Sequence, residues 1–127
     1  MSCSMSSESD LQAAVVEFLQ VYLPPGSIFH HSPNEGSHRV QYRVKQKRLG
    51  VRAGWPDLEI FVQPTWFREG VNWSPIFIEL KTKTGRISPA QKQVQADLVA
   101  ANCHVETCRS VAAVQQFLDT KITRRSA

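Results

Sequence analysis

Two short apolar runs, "WPDLEIFV" at residues 55–62 and "SPIFIELK" at 74–81, constrain this chain more than any other feature. Both read as strands, near 57–62 and 75–82. Side chains alternate along a strand, so Leu58, Ile60 and Val62 take one face while Asp57, Glu59 and Phe61 take the other. In the second run Ile76, Ile78 and Leu80 point one way, and Phe77, Glu79 and Lys81 the opposite way. A carboxylate directly after Pro56, and a Glu-x-Lys pair closing the second run, make poor sense as packing alone. If the two strands are neighbours, Asp57 and Glu79 converge, with Lys81 beside them.

Such a pair of carboxylates can share a hard divalent cation, and an ammonium one strand step away suits phosphodiester hydrolysis. Lys81 can orient or help deprotonate an attacking water, or stabilise a developing oxyanion. The plainer alternative is a surface ion pair between Glu79 and Lys81, with Asp57 as a turn residue at a strand end. Glu59 shares a face with Asp57 where an apolar residue is expected, and is read as a spare acid or a surface group.

The rest of the chain supplies a mixed α and β order around these runs. Residues 7–23 are expected to be helical, because Leu11, Val15, Phe18, Leu19 and Tyr22 fall on one stripe. Pro24, Pro25 and Gly26 stop that helix. A strand at 28–31 and a turn in "SPNEGS" follow, and 63–75 is a connection rich in turn residues and aromatics. "RISPAQKQVQADLVAAN" announces another helix: Ser88 is its N-cap, Pro89 its first residue, and Gln91 completes a capping box. A strand at 104–109 and a short helix at 110–118 close the fold. The whole chain, 1–127, is expected to be one domain with an ordered core at about 7–118 and a frayed basic tail at 119–127.

Composition excludes several classes. A hydrophobic fraction of 42% with 20% charged residues is ordinary for a soluble domain. No apolar run approaches the roughly 18 residues of a membrane span. "MSCSMSSESD" has no basic region leading into an apolar core, so a cytoplasmic protein is expected. Cys3, Cys103 and Cys108 form no Cys-x-x-Cys pair, which points to reduced thiols and away from zinc.

Charge is clustered as well as positive overall at +4. Residues 39–52, "RVQYRVKQKRLGVR", carry six Lys or Arg and no acid. The alternation of Val40, Tyr42 and Val44 predicts a strand or hairpin that displays Arg39, Arg43 and Lys45, with Lys47, Arg48 and Arg52 further along. A polyanion is then a serious candidate partner, against the plainer reading of a solvated face. The compact "HHSPNEGSH", with His30, His31, Asn34 and His38, does not match the two strands and helix over which His-Asn-His nucleases spread their ligands. Trp66, Phe67 and Trp73 are read as hairpin packing, a dimer contact or a wedge against unstacked bases.

"RLGVRAGWPDLEIFV" followed by "FIELKTKTGRISPAQKQVQADLVAANCHVETCRS" resembles the virus-type replication and repair nuclease domain, the VRR-NUC group of the PD-(D/E)XK nuclease superfamily. The likeness runs from "SESDLQAAVVEFL" to about Leu118. It rests on Gly54, Pro56 and Asp57, then Glu79-x-Lys81, Gly85, Ser88-Pro89-x-Gln91 and the ensuing strand. The resemblance implies an α/β fold with a mixed central sheet flanked by helices, Mg²⁺ or Mn²⁺ dependence, and endonuclease action on DNA. It also implies, for small stand-alone members, homodimers that cut four-way (Holliday) junctions, whereas larger relatives act on flaps and cross-link repair intermediates.

By the same resemblance Asp57, Glu79 and the backbone carbonyl of Leu80 hold the metal, with Glu8 contributing directly or through water. Glu8 matches the acid of the family's first helix, and it lies three and seven residues before Leu11 and Val15, on their stripe. Favourable charge at a helix N-terminus is the alternative account of it. Gln91 matches the family's glutamine, although the capping box explains it equally and the two roles are compatible only in part. Lys83 and Arg86, beside the second strand, are expected to extend the DNA-binding surface. The rival readings are a flap, nick or general duplex nuclease, and a DNA-binding module on the same scaffold that has lost catalysis.

Overall fold

The computed structural model describes residues 7–33 and 40–123. Its elements are helix α1 (Glu8–Tyr22), strand β1 (Ile28–His31), helix α2 (Val40–Arg48), strand β2 (Leu58–Phe61), a 3-10 turn at Pro64–Trp66, strand β3 (Ile76–Leu80), helix α3 (Pro89–Ala100), strand β4 (His104–Cys108) and helix α4 (Val111–Asp119). The strands form one mixed sheet in the order β1-β2-β3-β4; β2 is antiparallel to β1 and β3, and β4 is parallel to β3. The α3 crossover between two parallel strands is what allows that last pairing.

The α1 stripe survives from sequence to structure. Leu11, Val15, Leu19 and Tyr22 are its buried residues, and Ser7 caps the first turn by accepting from the Asp10 amide. With Val114 and Leu118 of α4, they cover one sheet face made of Leu58, Ile60, Ile76, Ile78 and Leu80. Each of those fully buried side chains contributes about 1.5–3 kcal/mol. The opposite face is thinner: Phe77 packs with Val94 and Leu98 of α3, and Trp55 meets the Phe77 ring edge-on at 5.6 Å. Covered on both faces, β3 is buried at all five positions, which explains its unbroken apolar run.

Two sequence expectations fail. The basic segment is helix α2, not a strand or hairpin, and it has no buried residue. Val40, Tyr42 and Val44 alternate, but all three are exposed, so no sheet face rewards that alternation. Gln, Lys and Arg are good helix formers, Gln46 donates to the Tyr42 hydroxyl one turn back, and the cations of the last turn complement the helix dipole. Gly50, at φ +95°, ends the helix: its amide returns to the Lys47 carbonyl and that of Val51 to Gln46.

The second concerns the first part of the tail, 119–123; residues 124–127 lie outside the described residues. The ordered body runs past Leu118 to Thr123, because Ile122 is fully buried and pairs with Phe67. Arg68 donates its amide to the Lys121 carbonyl, and Thr123 donates to that of Trp66. Trp66 and Phe67 are therefore half-buried packing against the main core rather than a displayed aromatic surface. Trp73 alone of the three is exposed, with its indole N–H held by the Val62 carbonyl.

Candidate active site

The β2–β3 register sets the site. Leu58 faces Ile78 and Glu59 faces Phe77, so the next step beyond the ladder sets Asp57 against Glu79. Asp57 does not continue the strand; its Oδ2 accepts the Leu80 amide at 2.7 Å and so terminates the ladder with a side chain. Its backbone carbonyl is fastened to β1 by the Ser32 amide and by His31 Nδ1, each at 2.9 Å.

Gly54 controls the approach to Asp57. It lies at φ +87°, and a Cβ there would fall 2.6 Å from the Ala90 carbonyl carbon and 2.8 Å from the Gln91 nitrogen. Only glycine lets the loop lie against the first turn of α3 in this conformation. Glu59 is neither a spare acid nor a solvated one. Its Oε1 accepts from the Trp55 indole at 2.6 Å and from the Ser32 hydroxyl at 3.1 Å, tying the loop before Asp57 to the sheet.

Glu79 is the most constrained charged group. It is 1% exposed. Its Oε2 accepts from Gln91 Nε2 at 3.1 Å and faces Lys81 Nζ at 3.8 Å, while Oε1 is buried with no hydrogen-bond partner. Glu8, Asp57 and Glu79 each bring one carboxylate oxygen within 4.8 Å of the others. Burial, and then the neighbouring Asp57 carboxylate, push the Glu79 carboxyl up to about 8, against the opposing pull of Lys81. No histidine belongs to this group among the described residues.

Gln91 serves as the cap of α3 and also bonds to Glu79, because its amide has two ends. Oε1 accepts the Ser88 amide at 2.8 Å and completes the capping box, leaving Nε2 free to donate to Glu79. The start of α3 and the end of β3 are thereby locked to one another.

A carboxylate oxygen that is buried and unpaired is costly unless a cation completes it. Three oxygen donors, with the Lys81 ammonium beside them, form a hard ligand set of the kind that divalent cations favour. The donor set of Asp57, Glu79 and Glu8 is thus suited to a divalent cation.

Not every predicted site residue joins this centre. Arg43, Lys45, Lys47 and Arg48 are displayed on α2, in the connection between β1 and β2. Arg52 forms a surface ion pair with Asp97 of α3, whose carboxyl it holds below the usual carboxylate range chiefly through the hydrogen bond. Lys83 and Arg86 are exposed on the turn after Lys81. Arg39, Asn34 and His38 lie outside the described residues.

One anchoring residue went unread in the sequence. Arg109, the residue after β4, donates through Nη1 to the carbonyls of Thr82 and Gly85, both at 2.7 Å. The signal available was positional: Leu80 pairs with Cys108, so residues 81 and 109 leave the sheet side by side.

No curated protein matches the chain significantly. A solved structure described as a VRR_NUC domain protein matches at 24% identity with a TM-score of 0.70, over 93% of each chain, and shares this fold. The family model of the VRR-NUC domain matches residues 4–112. With its four-stranded mixed sheet flanked by helices, in the manner of PD-(D/E)XK nucleases, this chain belongs to the VRR-NUC family of nuclease domains.

Proposed function

We propose that the protein is a metal-dependent, structure-selective DNA endonuclease that cuts four-way junctions as a homodimer. The observation that carries the catalytic part is the acid centre itself: Glu79 buried with an unpartnered Oε1, beside Asp57 and Glu8. A module that had lost catalysis would have no reason to keep so costly an arrangement.

Asp57, Glu79 and the Leu80 carbonyl would hold Mg²⁺, with Mn²⁺ as a substitute and Glu8 contributing directly or through water. Such an ion, when bound, supplies Lewis-acid polarisation of the scissile phosphate and offsets repulsion among the carboxylates. Gln91 fixes the orientation of Glu79 by its amide hydrogen bond. Lys81, 9% exposed, holds its ammonium 3.8 Å from Glu79 Oε2, and its role would be to orient an attacking water or to stabilise the charge developing on the phosphate. The α2 cations, with Lys83 and Arg86, bind the phosphate backbone without reading sequence.

The dimer follows from stoichiometry. One chain carries one acid centre, whereas resolving a junction takes two cuts in symmetry-related strands, and a two-fold dimer presents two centres through one self-complementary interface. The test is cleavage of four-way junction, flap, nicked, linear duplex and single-stranded DNA in Mg²⁺ and in EDTA, with light scattering of the same preparation. Paired incisions by a dimer, abolished by EDTA, are expected. Unpaired nicks by a monomer would transfer the reading to flap or nick processing, and DNA binding without any cleavage would leave an inactive binding module.

A further inference from the structure

Lys81 follows β3, and the chain turns sharply just after it. The Gly85 amide returns to the Thr82 carbonyl at 3.1 Å, closing a turn over Thr82–Gly85. That turn lies against the lysine: a Cβ on Gly85 would sit 3.4 Å from Lys81 Cδ and 3.2 Å from Thr82 Oγ1. Its internal hydrogen bond alone is too little to hold an exposed four-residue turn in one place. Two outside contacts do so. The Lys81 amide donates to the Cys108 carbonyl at 3.1 Å, and Arg109 spans the turn from Thr82 to Gly85 with its guanidinium. Arg109 has no acidic partner among the described residues; its hydrogen bonds go to backbone carbonyls, including that of Lys83 at 3.5 Å.

We infer that Arg109 is a positioning residue for Lys81: it clamps the Thr82–Gly85 turn against the lysine stem, so that the ammonium stays at Glu79. An arginine suits this task because Nη1 carries two hydrogens fixed in the guanidinium plane, one for each carbonyl, and the group stays charged at every working pH. A lysine ammonium also has the hydrogens for two carbonyls, but on a freely rotating group at the end of a flexible stem, so it holds them less firmly. The effect on cleavage rests on the nuclease reading above, whereas the clamp itself does not.

The experiment compares the full-length protein with Arg109→Ala and Arg109→Lys. Limited trypsin digestion without metal reads the clamp alone: cutting after Lys83 and Arg86 should accelerate about ten-fold or more in Arg109→Ala, while the melting temperature stays within about 3 °C of the parent. Cleavage kinetics read the consequence. kcat should fall on the order of 10- to 100-fold, well beyond any change in KM for DNA from loosening Lys83 and Arg86, and Arg109→Lys should recover part of the loss. Unaltered tryptic cutting overturns the clamp. A raised KM and a shallower salt slope with tryptic cutting and kcat both unaltered overturn it too, because Arg109 would then be a direct phosphate ligand. Faster cutting at those two sites with an unchanged kcat removes the link to Lys81. A parent protein that cleaves no DNA, with the turn still released in Arg109→Ala, overturns the nuclease reading and leaves the clamp standing.

Discussion

The acid centre at the end of β3 and the basic helix α2 are both charged regions, and they are built in opposite ways. Glu79 is buried and held by Gln91 and Lys81, in a strand covered on both faces. Helix α2 buries nothing and leaves Val40, Tyr42 and Val44 exposed beside its cations. Desolvation makes each charge in the first region expensive, so every neighbour has to be right. Solvation makes each charge in the second nearly free, so its residues are individually replaceable and act by number. The difference predicts that single substitutions break the first region, and that only multiple substitutions break the second.

The largest expected effect is therefore at the centre. Glu79→Gln or Asp57→Asn should lower metal-dependent cleavage by about 10³-fold or more while leaving DNA affinity equal or higher, since a negative charge next to phosphate is removed. Single-turnover cleavage together with equilibrium binding reads both halves. Either variant retaining full cleavage would place the chemistry elsewhere.

Helix α2 supplies the next effect. Neutralising Arg43, Lys45, Lys47 and Arg48 together should weaken binding to every DNA shape and lower the salt slope by up to about 3.6, for four released counterions. Because no α2 side chain is buried, the melting temperature should hardly move. A quadruple variant with the parent's salt slope would make α2 a solvated face.

How much of each region could be read from sequence follows the same divide. The acid centre was legible because alternation on two buried strands fixes which residues share a face, and because a capping box fixes where α3 begins. Gln91 was legible as a cap; that its second amide nitrogen reaches Glu79 depends on tertiary distance. Helix α2 was misread because an apolar-polar alternation has meaning only where a buried face rewards it. Glu59 and Arg109 escaped for a further reason: each bonds to groups brought near it only by the fold, the Trp55 indole and Ser32 hydroxyl in one case and the carbonyls after Lys81 in the other.

A smaller effect separates geometry from chemistry within the centre. Gly54→Ala removes no charge, but it forces a Cβ into the α3 backbone at a positive φ. It should destabilise the protein by at least about 2 kcal/mol. Its surviving folded fraction should also require more Mn²⁺ for half-maximal cleavage, since the loop carrying Asp57 is displaced. Chemical denaturation and metal titration measure the two effects separately, and an unperturbed Gly54→Ala would mean the loop yields easily.

The smallest expected effect tests whether the cost of burying Glu79 is what a cation offsets. Its carboxyl is raised from 4.5 to about 8 in the folded protein, mainly by burial and then by Asp57. Below about pH 4.5 the group is neutral in both folded and unfolded chains and costs nothing. As pH rises toward 8, the unfolded chain ionises freely while the folded one resists, so metal-free stability is lost across that window. A divalent cation held by the centre favours the ionised form, so the gain in melting temperature from Mn²⁺ over EDTA should grow from pH 5 to pH 8, by on the order of a few degrees. Other groups titrate over the same range, and Glu79→Gln removes this one while keeping the shape. In EDTA that variant should be more stable than the parent at pH 8, and the advantage should vanish near pH 4.5. Thermal melts of both proteins in EDTA and in Mn²⁺ decide it: parallel curves at every pH would mean that Glu79 is accommodated without cost, and that its burial says nothing about a cation.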